Sequence, residues 1–543
     1  MENSRYFIDK IYSQKHFKIL LGVLLFAAYT NAQTFSIRYH EESVTVLSNV
    51  WILNYGFLVA GTMPDLIDGL HSDALISKVS NGGEVLYTKK YGTAEFEFRS
   101  VNDNNTFVQG DSLYVSAYQR FHSDTAKCVI VWYLNNGDTL KTKSFKSPMW
   151  YGLGALEGNW FQPKAIDLAG DGGLYLTCQT TNEVTGNDFI ILKTDPDGNL
   201  LWYYYFGVDI EDVWQDIDLC YTLGAVDDGV IVAGATQVLE NGNWAIERFL
   251  KLDVEGNLVW QKDDISEFNA SHPEEMVVDT DGFVCVNTLD DMENPVNGSN
   301  GLIYKLDFDG NLMWYNGELE LDYYVGFTCL TKSCDGGYVC TGRNWEPLEP
   351  PDSLSYDNNT NLIIAKYDSI GTLLWHRKYL YVNSPYDFHE MYDLKATRDG
   401  GYIMVGEATD NWLDNPNLEL PRQQAWILKV DGCGCLVPGC DEFCTPPDCS
   451  PPNVVDVPKP NYFLYGPNPV ENSFYIYFDG TDMELENLEF QLYDISGRLV
   501  DSFMPSESDM TYIWEMEKYA AGEYVVVLKD KGNILQSQKI AKL

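Results

Sequence analysis

One stretch, residues 170–206, recurs along most of the chain, and that repetition restricts the fold more than any other feature. It opens with an Asp-Gly-Gly turn and runs into an apolar strand at 174–178. A second strand follows at 189–193, and an Asp-Pro-Asp-Gly turn folds it back onto a third at 200–206. The first apolar strand returns seven times, starting near Gly56, Asp111, Gly172, Asp228, Asp281, Asp335 and Asp399. The spacing is about 53 to 64 residues, enough for four strands each. A downstream hairpin accompanies the copies, most clearly at 190–202, 249–260, 303–314 and 363–375. There Lys-x-Asp closes one arm, and a Gly-x-Leu-apolar-Trp run begins the other. Gly supplies the positive φ of a tight hairpin, and Asp or Asn caps it.

A four-strand unit cannot bury both faces of its sheet alone, so neighbours must stack on it. Seven such units predict an all-β fold: a seven-bladed β-propeller over residues 33–443, with an open or six-bladed arrangement as the alternative. After the seventh copy the expected outer strand is missing, and Gly432-Cys-Gly-Cys-Leu-Val-Pro stands in its place. Near the start, the strand-like segment Phe35–Tyr39 has no partner before it. We expect this N-terminal strand to close the last blade.

Acidic residues number 80 against 36 Lys plus Arg, for a net charge of −44. Such a surface repels nucleic acid and anionic lipid. Residues 1–32 read as a secretory signal peptide. Arg5, Lys10, Lys15 and Lys18 lead into an apolar run at 19–28, and cleavage is expected between Ala32 and Gln33. The run is shorter than the about 20 residues needed to span a bilayer. We expect no transmembrane span in the mature chain.

Export makes disulfides permissible for the twelve Cys. Cys433, Cys435, Cys440, Cys444 and Cys449 crowd together, and their spacing matches no standard zinc pattern. We read them as a disulfide cluster pinning the last blade; five is odd, so one pairs elsewhere or stays free. The Asp-x-Asp-Gly turns at 195–198 and 307–310 resemble the start of a calcium loop but lack its later ligands. Plain turns are the default there, calcium the alternative, and no other cofactor is expected. Tyr87, Trp202, Trp260, Trp314 and Trp375 share one repeat position, which argues for packing between blades over a sugar-stacking ring. Trp150, Tyr151, Trp160, Tyr323, Tyr324, Trp345 and Trp412 do not repeat and are better candidates for a binding face. No haem, zinc-protease or nucleophile-elbow motif is present, so no catalytic residue is assigned.

A Pro- and Cys-rich linker at 444–461 precedes a small antiparallel β-sandwich at 462–543. That domain resembles the type A C-terminal sorting domain of type IX secretion substrates. The matching residues are Pro467, Asn468 and Pro469; Asp494, Gly497 and Arg498; Gly522 and Tyr524; and the basic end at Lys539 and Lys542. Gly466 departs from the aromatic residue usual before Pro-Asn-Pro. The repeats resemble Asp-Gly-Gly-Tyr propeller repeats common in proteins with such tails. The resemblance implies export across the outer membrane of a Gram-negative bacterium by the type IX machinery, ending in surface attachment or release. The favoured function is a non-catalytic binding or adhesion module for extracellular glycan or protein. The alternatives are a polysaccharide-active hydrolase or lyase, which converging carboxylates, His or Arg at the channel mouth would favour, and a purely structural envelope protein.

Overall fold

The computed structural model describes the chain from residue 33 onward, except for residues 40–44, 54–55, 65–71, 92–96, 100–106, 110–113, 123–124, 135–136, 146–160, 183–185, 208–217, 237–245, 264–269, 290–300, 318–324, 348–357, 381–387, 410–422, 442, 448, 450–462, 467–469, 471, 480–484, 495–497, 507–508 and 532. Among the described residues the architecture is all-β, and no sheet closes on itself.

Among the described residues up to Val430 the strands form seven antiparallel sheets; in the first six, neighbours follow chain order, whereas the seventh takes its outer strand from the start of the chain. The third is representative, with strands Phe161–Leu168, Leu174–Asn182, Gly186–Thr194 and Leu200–Phe206. The first sheet starts at Val46–Ile52, the fourth at Asp218–Val226, the fifth at Ala270–Val278 and the sixth at Val325–Lys332. The second is centred on Tyr114–His122 and Thr125–Tyr133. The seventh combines Phe388–Ala396, Tyr402–Thr409 and Gln423–Val430 with Phe35–Tyr39, which pairs antiparallel with Gln423–Val430.

The apolar runs of the sequence become strands covered on both faces. Gly229–Thr236 is buried throughout, whereas Leu258–Asp263, at the sheet's outer edge, alternates exposed and half-buried. Each sheet shares a hydrophobic core with the next. The seventh shares one with the first, where Ile403, Val405 and Ile427 meet Leu47, Val59 and Leu75. Tight turns join the first strand to the second and the third to the fourth, as at Ala169–Gly173 and Asp195–Asn199. Both kinds of turn therefore lie at one end of the sheets, and the longer connections leave from the other.

The C-terminal part holds two sheets, of three and four strands. Val470, Phe474 and Ile476 meet Leu488, Phe490, Val526 and Leu528 in a common core. Its strands include Phe463–Gly466, Leu499–Phe503 and Asn533–Lys542.

Candidate functional site

The repeated residues are occupied by the scaffold. The Trp202 ring lies against Gly256 in the next sheet's turn, where a Cβ would come within 2.7 Å of it, and its Nε1 donates to the Val254 carbonyl at 2.8 Å. Gly256 has φ +87°, so the turn itself also requires glycine. Trp260 covers Gly310 and Trp314 covers Gly371 in the same way. In the second sheet the pair is exchanged. Lys141 holds the usual Trp position, and Trp132, its cross-strand partner, covers Gly198 with the Lys141 ammonium 4.5 Å from its centroid. Phe35 of the N-terminal strand pairs with Lys429, just as Trp202 pairs with Lys193, and covers Gly83 of the first sheet.

The Lys of Lys-x-Asp is buried, which its charge did not suggest. Lys193, Lys366 and Lys429 meet Asp171, Asp335 and Asp399 of their own Asp-Gly-Gly turns at 2.7, 2.6 and 2.7 Å. The bond from Lys193 holds the Asp171 carboxyl below its usual range. The Asp of Lys-x-Asp caps its turn: Asp195 accepts from the Asn199 amide at 2.7 Å and from its side chain at 2.8 Å. Asp307 does the same with Asn311, at 2.8 and 2.9 Å. Among the described residues no three His, Cys, Asp or Glu side chains group as a metal site.

One position on the second strand differs from copy to copy. Register places Thr62, Gln119, Gln179, Ala235, Thr288, Arg343 and Glu407 there in sheets one to seven. Only the last two are charged, with opposite signs, on adjacent sheets. Gly326 stands opposite Arg343 and Glu390 opposite Glu407. Arg343 Nε lies 3.2 Å from Glu390 Oε1, and the guanidinium sits 5.5 Å from the centre of the Phe388 ring. Tyr392, placed by a bulge between Met391 and Asp393, brings its hydroxyl to 3.1 Å from Glu390 Oε2 and 2.9 Å from Glu407 Oε1. Gln423 Nε2 donates to the other oxygen of Glu407.

Burial raises the Glu390 carboxyl to about 7, against the pull of Arg343 and Tyr392 and with the push of Glu407 and Glu274. Burial raises Glu407 as well. The Tyr392 hydroxyl has one proton to share between the two carboxyl groups. The cluster lies at the end of the sheets opposite the tight turns. Connections 348–357, 381–387 and 410–422, which leave its strands there, are outside the described residues. Sequence reasoning missed all five side chains, since only strand register brings them together.

Of the loop aromatics, Trp345 lies in the strand Tyr338–Pro347, while Trp150, Tyr151, Trp160, Tyr323, Tyr324 and Trp412 are outside the described residues. Ala32 is also outside them, and Gln33 is exposed. The cysteines form three bonded pairs. Cys433–Cys444, Cys435–Cys440 and Cys334–Cys449 have Cα atoms 5.9, 5.7 and 5.4 Å apart, so the odd cysteine of the cluster reaches back to the sixth sheet.

In the C-terminal sheets Asp494 accepts from the Arg498 amide at 3.0 Å, and the Tyr524 hydroxyl donates to the Ala520 carbonyl at 2.8 Å. Gly522 has φ +155°, and Lys539 pairs with Glu523 at 2.8 Å on the surface. Val470 bonds the last strand's end, donating to Ala541 and accepting from Leu543, one residue beside Lys542. Pro467, Asn468, Pro469 and Gly497 are outside the described residues.

Residues 464–542 match the secretion system C-terminal sorting domain. The chain is an exported protein, secreted or held at the cell surface by way of type IX secretion, and its tail addresses it to that machinery. No curated protein matches it significantly. Among solved structures it is similar to a subtype N10 neuraminidase-like protein of A/little yellow-shouldered bat/Guatemala. Identity is 9% and the TM-score 0.32, over 59% of this chain and 89% of that one. It is also similar to PorZ, an essential bacterial surface component of the type IX secretion system of Porphyromonas gingivalis. There identity is 10% and the TM-score 0.29, over 91% of this chain and 70% of that one. Among the described residues no helix is long and apolar enough to cross a membrane.

Proposed function

We propose that the chain is a seven-bladed β-propeller, closed by its N-terminal strand and delivered by its sorting tail, that binds an extracellular glycan without turning it over. The succession of seven shared cores, with the seventh sheet against the first, supports the propeller reading. A leader ending at Ala32 and a propeller over 33–443 fit this order of parts.

The observation that carries the binding reading is the copy-specific cluster Arg343, Glu390, Tyr392, Glu407 and Gln423. Scaffold needs alone are met by Thr, Gln or Ala at the same repeat position. Carboxylates that accept, with a guanidinium and an amide that donate, suit the paired hydroxyls of a sugar. A glycan array and calorimetric titration of the mature chain test this. We expect saturable binding to at least one polysaccharide, weakened about tenfold or more by Arg343→Ala, as loss of a charged hydrogen bond implies. Absence of glycan binding would overturn it.

Glu390, raised to about 7, gives the hydrolase reading its one specific support, because a general acid works best when its pKa lies near the operating pH. Polysaccharide turnover abolished by Glu390→Gln would replace the binding reading with that one.

A further inference from the structure

The seventh sheet ends unlike the other six. Elsewhere the turn after the third strand leads directly into the fourth, so the chain itself holds both sides of the turn. Here the turn at 431–435 keeps the same hydrogen bonds: Asp431 accepts from the Cys433 and Cys435 amides at 2.9 and 2.8 Å. Its fourth strand, however, is Phe35–Tyr39, from the far end of the sequence. Among the described residues no strand follows the turn to pair with the third strand and hold its downstream side.

Disulfides stand there instead. Cys433–Cys444 and Cys435–Cys440 lace the turn to the segment after it, and Cys334–Cys449 ties that segment to the first turn of the sixth sheet, 115 residues away in sequence. The seventh sheet's seam with the sixth, and its join to the incoming strand, both pass through the laced segment. From the sixth sheet, the Trp375 ring lies over Gly434, where a Cβ would come within 2.6 Å of it. Tyr379 donates to the Gly434 carbonyl, and Arg377 meets Asp441 at 2.7 Å. Next to the incoming strand, the Thr34 hydroxyl donates to the Leu436 carbonyl at 2.6 Å.

We propose that these three disulfides form a redox-operated clasp, so that the propeller closes fully only once the chain reaches an oxidising compartment. The proposal rests on the closed-propeller reading. Each pair forms by exchange with a disulfide oxidant: two thiols give up two protons and two electrons, and the oxidant leaves as a dithiol. Before that step, the turn that receives Trp375 and Thr34 is unsupported, and Phe35–Tyr39 docks on a loose edge. The split hairpin is thus open while the chain is reduced and in transit.

Six other cysteines act as internal reporters. Cys128, Cys178, Cys220, Cys285, Cys329 and Cys340 are free thiols buried in the sheet cores. The mature chain, treated with a phosphine reductant under native conditions, is followed by pulsed alkylation and hydrogen exchange. We expect the six clasp thiols to alkylate and amide exchange at 35–39 and 425–436 to accelerate by about tenfold or more, a local opening. Cys128, Cys178, Cys220 and Cys285 stay protected. Unchanged exchange at 35–39 after full reduction would overturn the clasp, as would simultaneous alkylation of all twelve cysteines. If 35–39 exchanges freely even when oxidised, the closed-propeller reading itself fails. Cys334→Ser/Cys449→Ser, which leaves the two local bonds intact, should show a smaller acceleration of the same segments.

Discussion

At Lys366 the chain buries an ammonium and answers it with Asp335 at 2.6 Å, Ser333 Oγ at 2.9 Å and the Tyr402 hydroxyl of the next sheet at 2.9 Å. Removing one partner of such a pair strands the other charge, whereas replacing it by an apolar group is tolerated. Asp335→Asn should cost about 1–3 kcal/mol in denaturant melts, a modest figure because the carboxylate is 35% exposed. Combining it with Lys366→Met should recover most of that loss. Glu275 is a different case. Burial raises it to about 8, with Asp393 adding to the shift and Lys395 opposing it, while its Oε2 accepts from the Leu330 amide at 2.5 Å. Unfolded, it ionises near 4.5; folded, it keeps its proton to about 8. Its contribution to stability is therefore full below 4.5, falls as pH rises to about 8, and is flat beyond. Glu275→Gln should melt higher than the parent at pH 8 and equally at pH 4; the same offset at both would contradict this. The Lys-x-Asp motif was plain in the sequence, but its burial was not, since lysine usually lies at the surface.

The strands were legible where apolar runs met Gly-rich turns, and Phe35–Tyr39 could be read as an outer strand because the last copy lacked one. Its register was not legible. Phe35 stands where five of the other six copies place Trp or Tyr, and only the pairing with Lys429 reveals this. Phe35→Ala should destabilise the protein by about 3 kcal/mol, the cost of an emptied aromatic site, read by thermal melting. The second copy carries Lys141 where the other copies have an aromatic residue. The structure shows an exchange across the strand pair, with Trp132 filling the same space over Gly198. Trp132→Lys alone should therefore destabilise strongly, while Trp132→Lys/Lys141→Trp should fall closer to the parent. Equal losses in the single and double variants would mean that the exchange is not compensating.

Across the whole molecule, the sorting tail and the repeats were readable because each is a run of local motifs. The cluster at the sixth and seventh sheets was not, because Arg343 and Glu390 lie 47 residues apart and meet only through folding. Deleting residues 462–543 should leave the protein inside the outer membrane, as cell fractionation would show; unchanged export would contradict the tail's role. The division between repeated scaffold and copy-specific site is tested most directly by giving the sixth and seventh sheets the residue that the first and fifth carry, Thr62 and Thr288. For Arg343→Thr/Glu407→Thr, melting and glycan titration should be measured on the same sample. The melting temperature should stay within a few degrees of the parent while binding falls about a hundredfold, as two charged hydrogen bonds imply. Collapse of the fold, or binding that persists unchanged, would contradict it.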